Sequence, residues 1–242
     1  MGSITLRNAV RRILEEDDLK KVAGVIADEL DDVIKNEVEV ENGYAHPPIE
    51  IPDDMPPTFL AEAKEAIKDG KFKIGDIVLE KYGVRWRLVN ISGEDYTIMT
   101  ATAFTYAPFD RPDKKHPWGS NDWDESQIKK ELNEHWLTEL LGAETGLVKV
   151  NYMAKAKLFL LSEEEAGFKQ TENTFDYFRH AQPEVDMDER RQLKDYDGDE
   201  CYWWLRSPNP GNASNVRYVI SDGSLNDYYA NYGYGAVAAC VI

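Results

Sequence analysis

The residues most able to do chemistry in this chain lie in its last third. Between positions 209 and 234 stand Asn209, Asn212, Asn215, Asn226 and Asn231, the tyrosines Tyr218, Tyr228, Tyr229, Tyr232 and Tyr234, and Asp227 and Ser214. Tyrosine offers a large, rigid, amphipathic ring at little conformational cost, and Asn, Ser and Gly beside it supply adaptable hydrogen bonds, the composition that antibody paratopes use. The chemistry this points to is recognition rather than bond-making. The histidines His46, His116, His135 and His180 are scattered, without a partner at motif spacing, and no nucleophile elbow or phosphate loop is present. His135, within a helical pattern, reads as a partly buried packing residue. The run Asp195-Tyr196-Asp197-Gly198-Asp199-Glu200 is acidic enough to suggest calcium, but its glycine falls at the fourth position, which breaks the EF-hand spacing, and it reads as a solvated turn. Cys201 and Cys240 sit in apolar strand-like runs, where a thiol tends to be inert. No catalytic residue, cofactor or metal is expected.

Composition narrows the partners. With 28 Lys and Arg against 45 Asp and Glu, the net charge is -17, so the phosphate attraction that drives nucleic-acid affinity is reversed. Nucleic acid and anionic membrane are unexpected partners. No apolar run of membrane-spanning length and no secretory leader is evident, so membrane insertion is not expected and synthesis is in the cytoplasm. The two cysteines are too few for a disulfide scaffold and are read as reduced thiols.

The elements that must position the Tyr/Asn run follow from periodicity. Leu6, Val10, Ile13 and Leu14, then Leu19, Val22, Ile26, Leu30 and Val33, recur at helical spacing and predict two amphipathic helices, a possible seam for a homo-oligomer. Five prolines between Glu41 and Pro57 predict an extended arm, and Thr58 is placed to cap a short helix that Gly70 ends. From Lys73 the period falls towards two: Ile77-Val78-Leu79, Val84 to Val89 and Tyr96 to Met99 predict an antiparallel meander. Ser126 to Leu141 predicts a helix capped by Asp124 or Ser126 and ended by Gly142, and Ser162-Glu163-Glu164-Glu165 a capping box opening another after the strand-like Lys157 to Leu160. Residues 170 to 200 read as a surface loop. Strands are expected over Tyr202 to Pro208, Val216 to Ile220 and Ala236 to Ile242, with a turn at Asp222-Gly223. Trp203, Trp204, Leu205, Val219 and Val237 are the expected core, with Arg206 held by a buried carboxylate or carbonyls.

The run Trp203-Trp204-Leu205-Arg206-Ser207-Pro208, the step Val219-Ile220-Ser221-Asp222-Gly223 and a closing strand from Gly235 to Ile242 resemble a bacterial and phage domain of unknown function. Val84 to Val89, Leu132-Asn133 and Phe159 to Glu165 resemble its other landmarks; the closing strand lacks the Arg and Pro usual there. Such domains are similar to C-type-lectin-like folds, the fold of the variable proteins of diversity-generating retroelements, among them phage tropism determinants. The resemblance implies an α+β protein: a C-type-lectin-like domain over 72–242 with short antiparallel strands and two helices, preceded by a helical N-terminal region over 1–71. It implies a non-enzymatic binder of a protein or cell-surface ligand, displayed on a phage particle or exported by other means. In such systems adenine-directed mutagenesis scatters residues reachable from an Asn codon, and here it would leave a variable face of Asn212, Asn215, Asn226, Asp227, Tyr228, Tyr229, Asn231, Tyr232 and Tyr234. Two alternatives stand beside it: an assembly protein that oligomerises through the same face, and an enzyme resembling formylglycine-generating proteins through Cys201 and Cys240.

Overall fold

Polar backbone groups decide how the first helix starts. In α1 (Leu60–Lys68) the residues Leu60, Ala63 and Ile67 recur at three and four and are buried. The expected Thr58 cap does not form. The Glu144 carboxylate, from far along the chain, accepts from the Leu60 and Ala61 N–H groups at 2.9 and 3.3 Å and pairs with Lys81. The computed structural model describes residues 56–179 and 188–242. The two N-terminal helices, most of the proline arm, His46 and His180 lie outside the described residues. Residues Pro56–Ile242 form one compact unit that contains α1, so α1, which the sequence reading placed before residue 72, lies within it.

The fold is α+β with two sheets. The meander forms as its alternation demands: β1 (Ile77–Lys81), β2 (Val84–Ser92) and β3 (Asp95–Thr100) pair antiparallel in order. A fourth strand, β9 (Ala239–Val241), joins β3 with Ile98 opposite Cys240. The second sheet has the order β4-β8-β5-β6-β7, from β4 (Thr105–Pro108), β5 (Trp203–Pro208), β6 (Asn215–Val219), β7 (Leu225–Tyr229) and β8 (Gly233–Ala236); its β5–β8 contact is parallel and the rest antiparallel. The single closing strand expected over 236–242 is thus two strands: the chain leaves one sheet at Ala236 and enters the other at Ala239. Residues Ala236 to Ile242 are all buried because β3 and backbone bonds from Lys149 and Phe159 flank β9.

The helix expected from Ser126 is α2 (Gln127–Glu131) and α3 (Leu137–Leu141) joined by a π turn, Leu132–Trp136. Ser126 is its cap, its Oγ accepting from the Lys129 N–H at 3.3 Å. Asn133 marks the π turn: its Nδ2 donates to the Lys129 and Leu158 carbonyls while its Oδ1 accepts from the Lys157 and Leu158 N–H groups. That clamp fastens the helix to the following segment.

Three expectations are corrected. Ser162 and Glu165 make both bonds of a capping box, but only one turn follows, because Gly167 has φ +76° and no room for a side chain against Phe178. The stretch 170–200 is not merely a surface loop, since Phe178 and Arg191 are fully buried in it. Arg191 donates to the Gly223 carbonyl at 2.9 Å and to Ala166, and lies over the Phe168 ring. The segment Leu225–Tyr229, not expected to be regular, is strand β7.

Candidate ligand-binding face

Register builds the face. Directly opposed residues of an antiparallel pair share one side of the sheet, so Trp204 opposite Tyr218, Tyr218 opposite Asn226 and Val216 opposite Tyr228 line one side. Trp203, Trp204, Leu205, Val219 and Val237 are buried, as expected. Trp204 donates its indole N–H to the Ala107 carbonyl at 2.9 Å, so this large ring is buried with its polar group satisfied. Tyr218, only 6% exposed, and the half-buried Tyr234 lie 4.5 Å apart and within 6.0 and 4.7 Å of the Trp204 ring. They form a base. On it stand Tyr202 at 42% exposure, Tyr228 at 38% and Tyr232 at 53%, each within 6.3 Å of Tyr234 by ring centroid.

The nine residues expected at the variable face divide. Asn212, Asn226, Tyr228, Tyr229 and Tyr232 are exposed. Asn215, Asp227, Asn231 and Tyr234 are only partly so, contrary to the expectation that all nine face solvent. Tyr234 is at the centre of five aromatic contacts. Asp227 accepts from Asn215 Nδ2 at 2.7 Å and Arg217 at 2.9 Å; Arg217 in turn binds the buried Glu163, which also pairs with Lys169. Burial alone would raise the Asp227 pKa, but the hydrogen bonds from Asn215 and Asn209 and the Arg217 charge hold it below the usual carboxylate range. Asn215 and Asp227 are thereby part of the framework beside a cleft of about 450 Å³ whose lining includes Glu163, Arg206, Ser207 and Arg217.

One exposed member escaped the sequence reading. Trp118, 54% exposed, stacks on Tyr229 at 5.0 Å and 25°, and its carbonyl accepts from the Asn231 N–H. It comes from a loop more than a hundred residues earlier, and nothing local marks it. A second distant residue shapes the rim: Asn121 Nδ2 reaches the carbonyls of Asn209, Asn212 and Asn215 and fixes the turn between β5 and β6.

The groups that could do covalent chemistry are not assembled. Cys201 and Cys240 are buried and free: Cys201 lies two residues before β5, and Cys240 is in β9 of the other sheet. His116 sits in a turn beside Asp113, and His135, expected to be partly buried, is exposed against the edge of Trp136 because the π turn rotates it outward from the Leu132 and Leu137 side. In the acidic run, Asp195 is buried and turned inward: Oδ1 accepts from the Asp197 and Asp199 N–H groups and Oδ2 from Tyr106. Among the described residues no group of three His, Cys, Asp or Glu is placed to hold a metal, and no helix is long and apolar enough to cross a membrane.

Burial makes the site sensitive to alkali. Burial pushes Cys201 up to about 12 and raises Cys240, Tyr218 and Tyr234 above their ordinary values. The neutral forms are favoured in the folded state, so the unfolded chain releases these protons first. Their contribution is whole below the ordinary thiol range and is lost as pH rises from about 9 towards 12. The melting temperature should fall steeply across that window, and Cys201→Ala should flatten the fall. A melting temperature constant through the window would refute the assignment.

A family model described as a domain of unknown function, DUF6273, matches residues 144–242. The matched stretch carries β5 to β9 and every tyrosine of the face. No curated protein and no solved structure matches the chain.

Proposed function

We propose that this is a non-enzymatic binding protein of C-type-lectin-like fold, whose C-terminal aromatic face recognises a protein or cell-surface ligand and can be diversified without refolding. One observation carries the reading: the exposed Tyr228 and Tyr232 rest on Tyr234, with Tyr229 beside Tyr228, while the Trp204 and Tyr218 rings that support Tyr234 are buried. A binder that changes specificity needs that separation, since exposed substitutions usually shift stability by only about 0.5 kcal/mol, whereas an interface aromatic can carry about 2 kcal/mol or more of binding. The exposed residues Asn212, Asn226, Tyr228, Tyr229 and Tyr232 all belong to the set that adenine-directed mutagenesis of Asn codons produces, which supports diversification by a retroelement. Trp118 extends the same surface.

The test is Tyr228→Ser, Tyr229→Ser and Tyr232→Ser in one chain. Its melting transition should match the parent within a few degrees, while a partner cross-linked to the parent from host-cell extract should no longer be recovered. Retained binding would place the contact elsewhere; a fall in oligomer mass without loss of a partner would favour the assembly reading.

A further inference from the structure

An outer strand leaves a row of backbone donors and acceptors open unless something covers or blunts it. Among the described residues, three of the four outer strands of the two sheets are so treated. β1 gives its Glu80 N–H to the Pro57 carbonyl, and β9 is flanked by Lys149 and Phe159. β4 is four residues long and ends on Pro108, which has no N–H, and its Ala107 carbonyl already accepts from Trp204. The fourth is β7. Alternate residues of a strand point their backbone groups to opposite edges. In register with the β6–β7 pairs, the Ala230 N–H meets the Ser214 carbonyl at one end and the Ile220 N–H meets the Ser224 carbonyl at the other, so the even-numbered residues of β7 bond across to β6. The backbone groups of Leu225, Asp227 and Tyr229 therefore point away from the sheet. Two further bonds agree with that direction: the Asp227 N–H is taken by the side chain of its neighbour Asn226, and the Tyr229 carbonyl by the Tyr232 N–H. Among the described residues, the Leu225 N–H and carbonyl, the Asp227 carbonyl and the Tyr229 N–H have no partner.

We propose that the outer edge of β7 takes an extended segment of a protein partner as a sixth strand of this sheet. The inference rests on the adjoining face being a protein-binding surface, as proposed above, and adds the backbone conformation that the partner presents. Main-chain bonds to Leu225, Asp227 and Tyr229 hold such a strand, and the alternation of its side chains gives selectivity. Every second side chain falls on the side of Asn226 and Tyr228, beside the exposed Tyr228 ring, where an apolar or aromatic residue packs best. The others fall on the side of Asp227, whose carboxylate is already held by Asn215 and Arg217. A second copy of this chain fits the edge less well. Two β7 edges paired about their centre set Asp227 opposite its own copy, and each chain carries a net charge of -17.

The experiment follows backbone amide exchange in the full chain by NMR. In the free protein the Asn226 and Tyr228 amides should exchange at least about tenfold more slowly than those of Leu225 and Tyr229. The probes are ten-residue peptides that alternate Thr with Tyr, Val, Ser or Lys. At saturation the tyrosine or valine peptide should slow Leu225 and Tyr229 by about tenfold or more, and its backbone N-methylated counterpart, which keeps every side chain, should not. Leu225→Pro removes one outward N–H and leaves the ladder to β6 intact, a change that an outer strand tolerates; it should weaken peptide binding about tenfold, with its melting transition checking that the fold survives. Slow exchange of Leu225 and Tyr229 in the free chain would overturn the inference, and so would failure of every peptide to slow them. A doubled mass with those amides protected in the absence of peptide would give the edge to a second copy and overturn it as well. A partner captured through Tyr228, Tyr229 and Tyr232 without protecting Leu225 and Tyr229 would leave the binding reading standing and remove this one. Peptide protection together with a triple serine variant that still captures its partner would keep strand addition and remove the tyrosine contact.

Discussion

Arg206→Ala and Glu165→Ala should each destabilise the domain by about 3 to 5 kcal/mol, because each strands a buried charge that the other now satisfies. Both side chains are buried, and the pairing is bidentate: the two guanidinium nitrogens of Arg206 meet the two oxygens of Glu165, one at 2.7 Å. Arg206 also donates to the Leu160 carbonyl at 2.6 Å, and Glu165 accepts from the Ser162 N–H. The pair therefore ties the one-turn capping box at 162–165 to the middle of β5. Removing both charges with apolar residues of similar volume, Arg206→Met with Glu165→Leu, should cost much less than the sum of the single changes, since desolvation disappears with the charges. Denaturant midpoints of the parent, both single variants and the double variant close the cycle. If either single alanine costs under about 1 kcal/mol, the pair behaves as a surface bridge and the tie between turn and sheet is not what holds β5.

How much of this was legible in the chain depends on whether the deciding contact is local. The meander over Ile77–Thr100 was legible because alternation is a local signal, and so was the Ser126 cap, which acts three residues away. Arg206 was legible as a group needing a buried acceptor, though which carboxylate supplies it was not. Failures occur where the decisive partner is distant. Glu144 caps α1 from more than eighty residues away, so Thr58 looked like the cap. Arg191 is accepted into the core by carbonyl groups of Ala166 and Gly223, so a polar stretch that reads as solvated is partly interior. Strand β7 hides because Asn226 and Asp227 are poor strand formers, and it exists through its pairing with β6. The same distance problem affects the face: composition marked Tyr228 to Tyr234 as one cluster, while register decides that Tyr234 joins the base and Asp227 the ionic framework, and only folding brings Trp118 against Tyr229.

That division within one run of tyrosines yields a graded expectation for stability. Tyr218→Ser should destabilise the domain by about 3 kcal/mol or more, the usual scale for emptying an aromatic from a core, whereas Tyr232→Ser should stay within about 0.5 kcal/mol. The reason lies in position, not residue type. Tyr218 is 6% exposed, occupies the interior strand β6 opposite Trp204, and touches Tyr202, Trp204 and Tyr234; its hydroxyl is hydrogen-bonded to that of Tyr234, and burial raises its pKa. Serine there leaves a void over Trp204 and strands the Tyr234 hydroxyl, two costs that act together. Tyr232 follows β7 in a turn, is 53% exposed, and gives up only ring edges against Tyr228 and Tyr234. Tyr218→Phe separates the terms: it keeps the ring and loses the hydroxyl bond, so it should cost about 1 kcal/mol. Chemical denaturation of the three variants under one condition measures the order. Equal losses for Tyr218→Ser and Tyr232→Ser would mean that base and face form one packed unit, and the face could then not be varied without disturbing the fold that presents it.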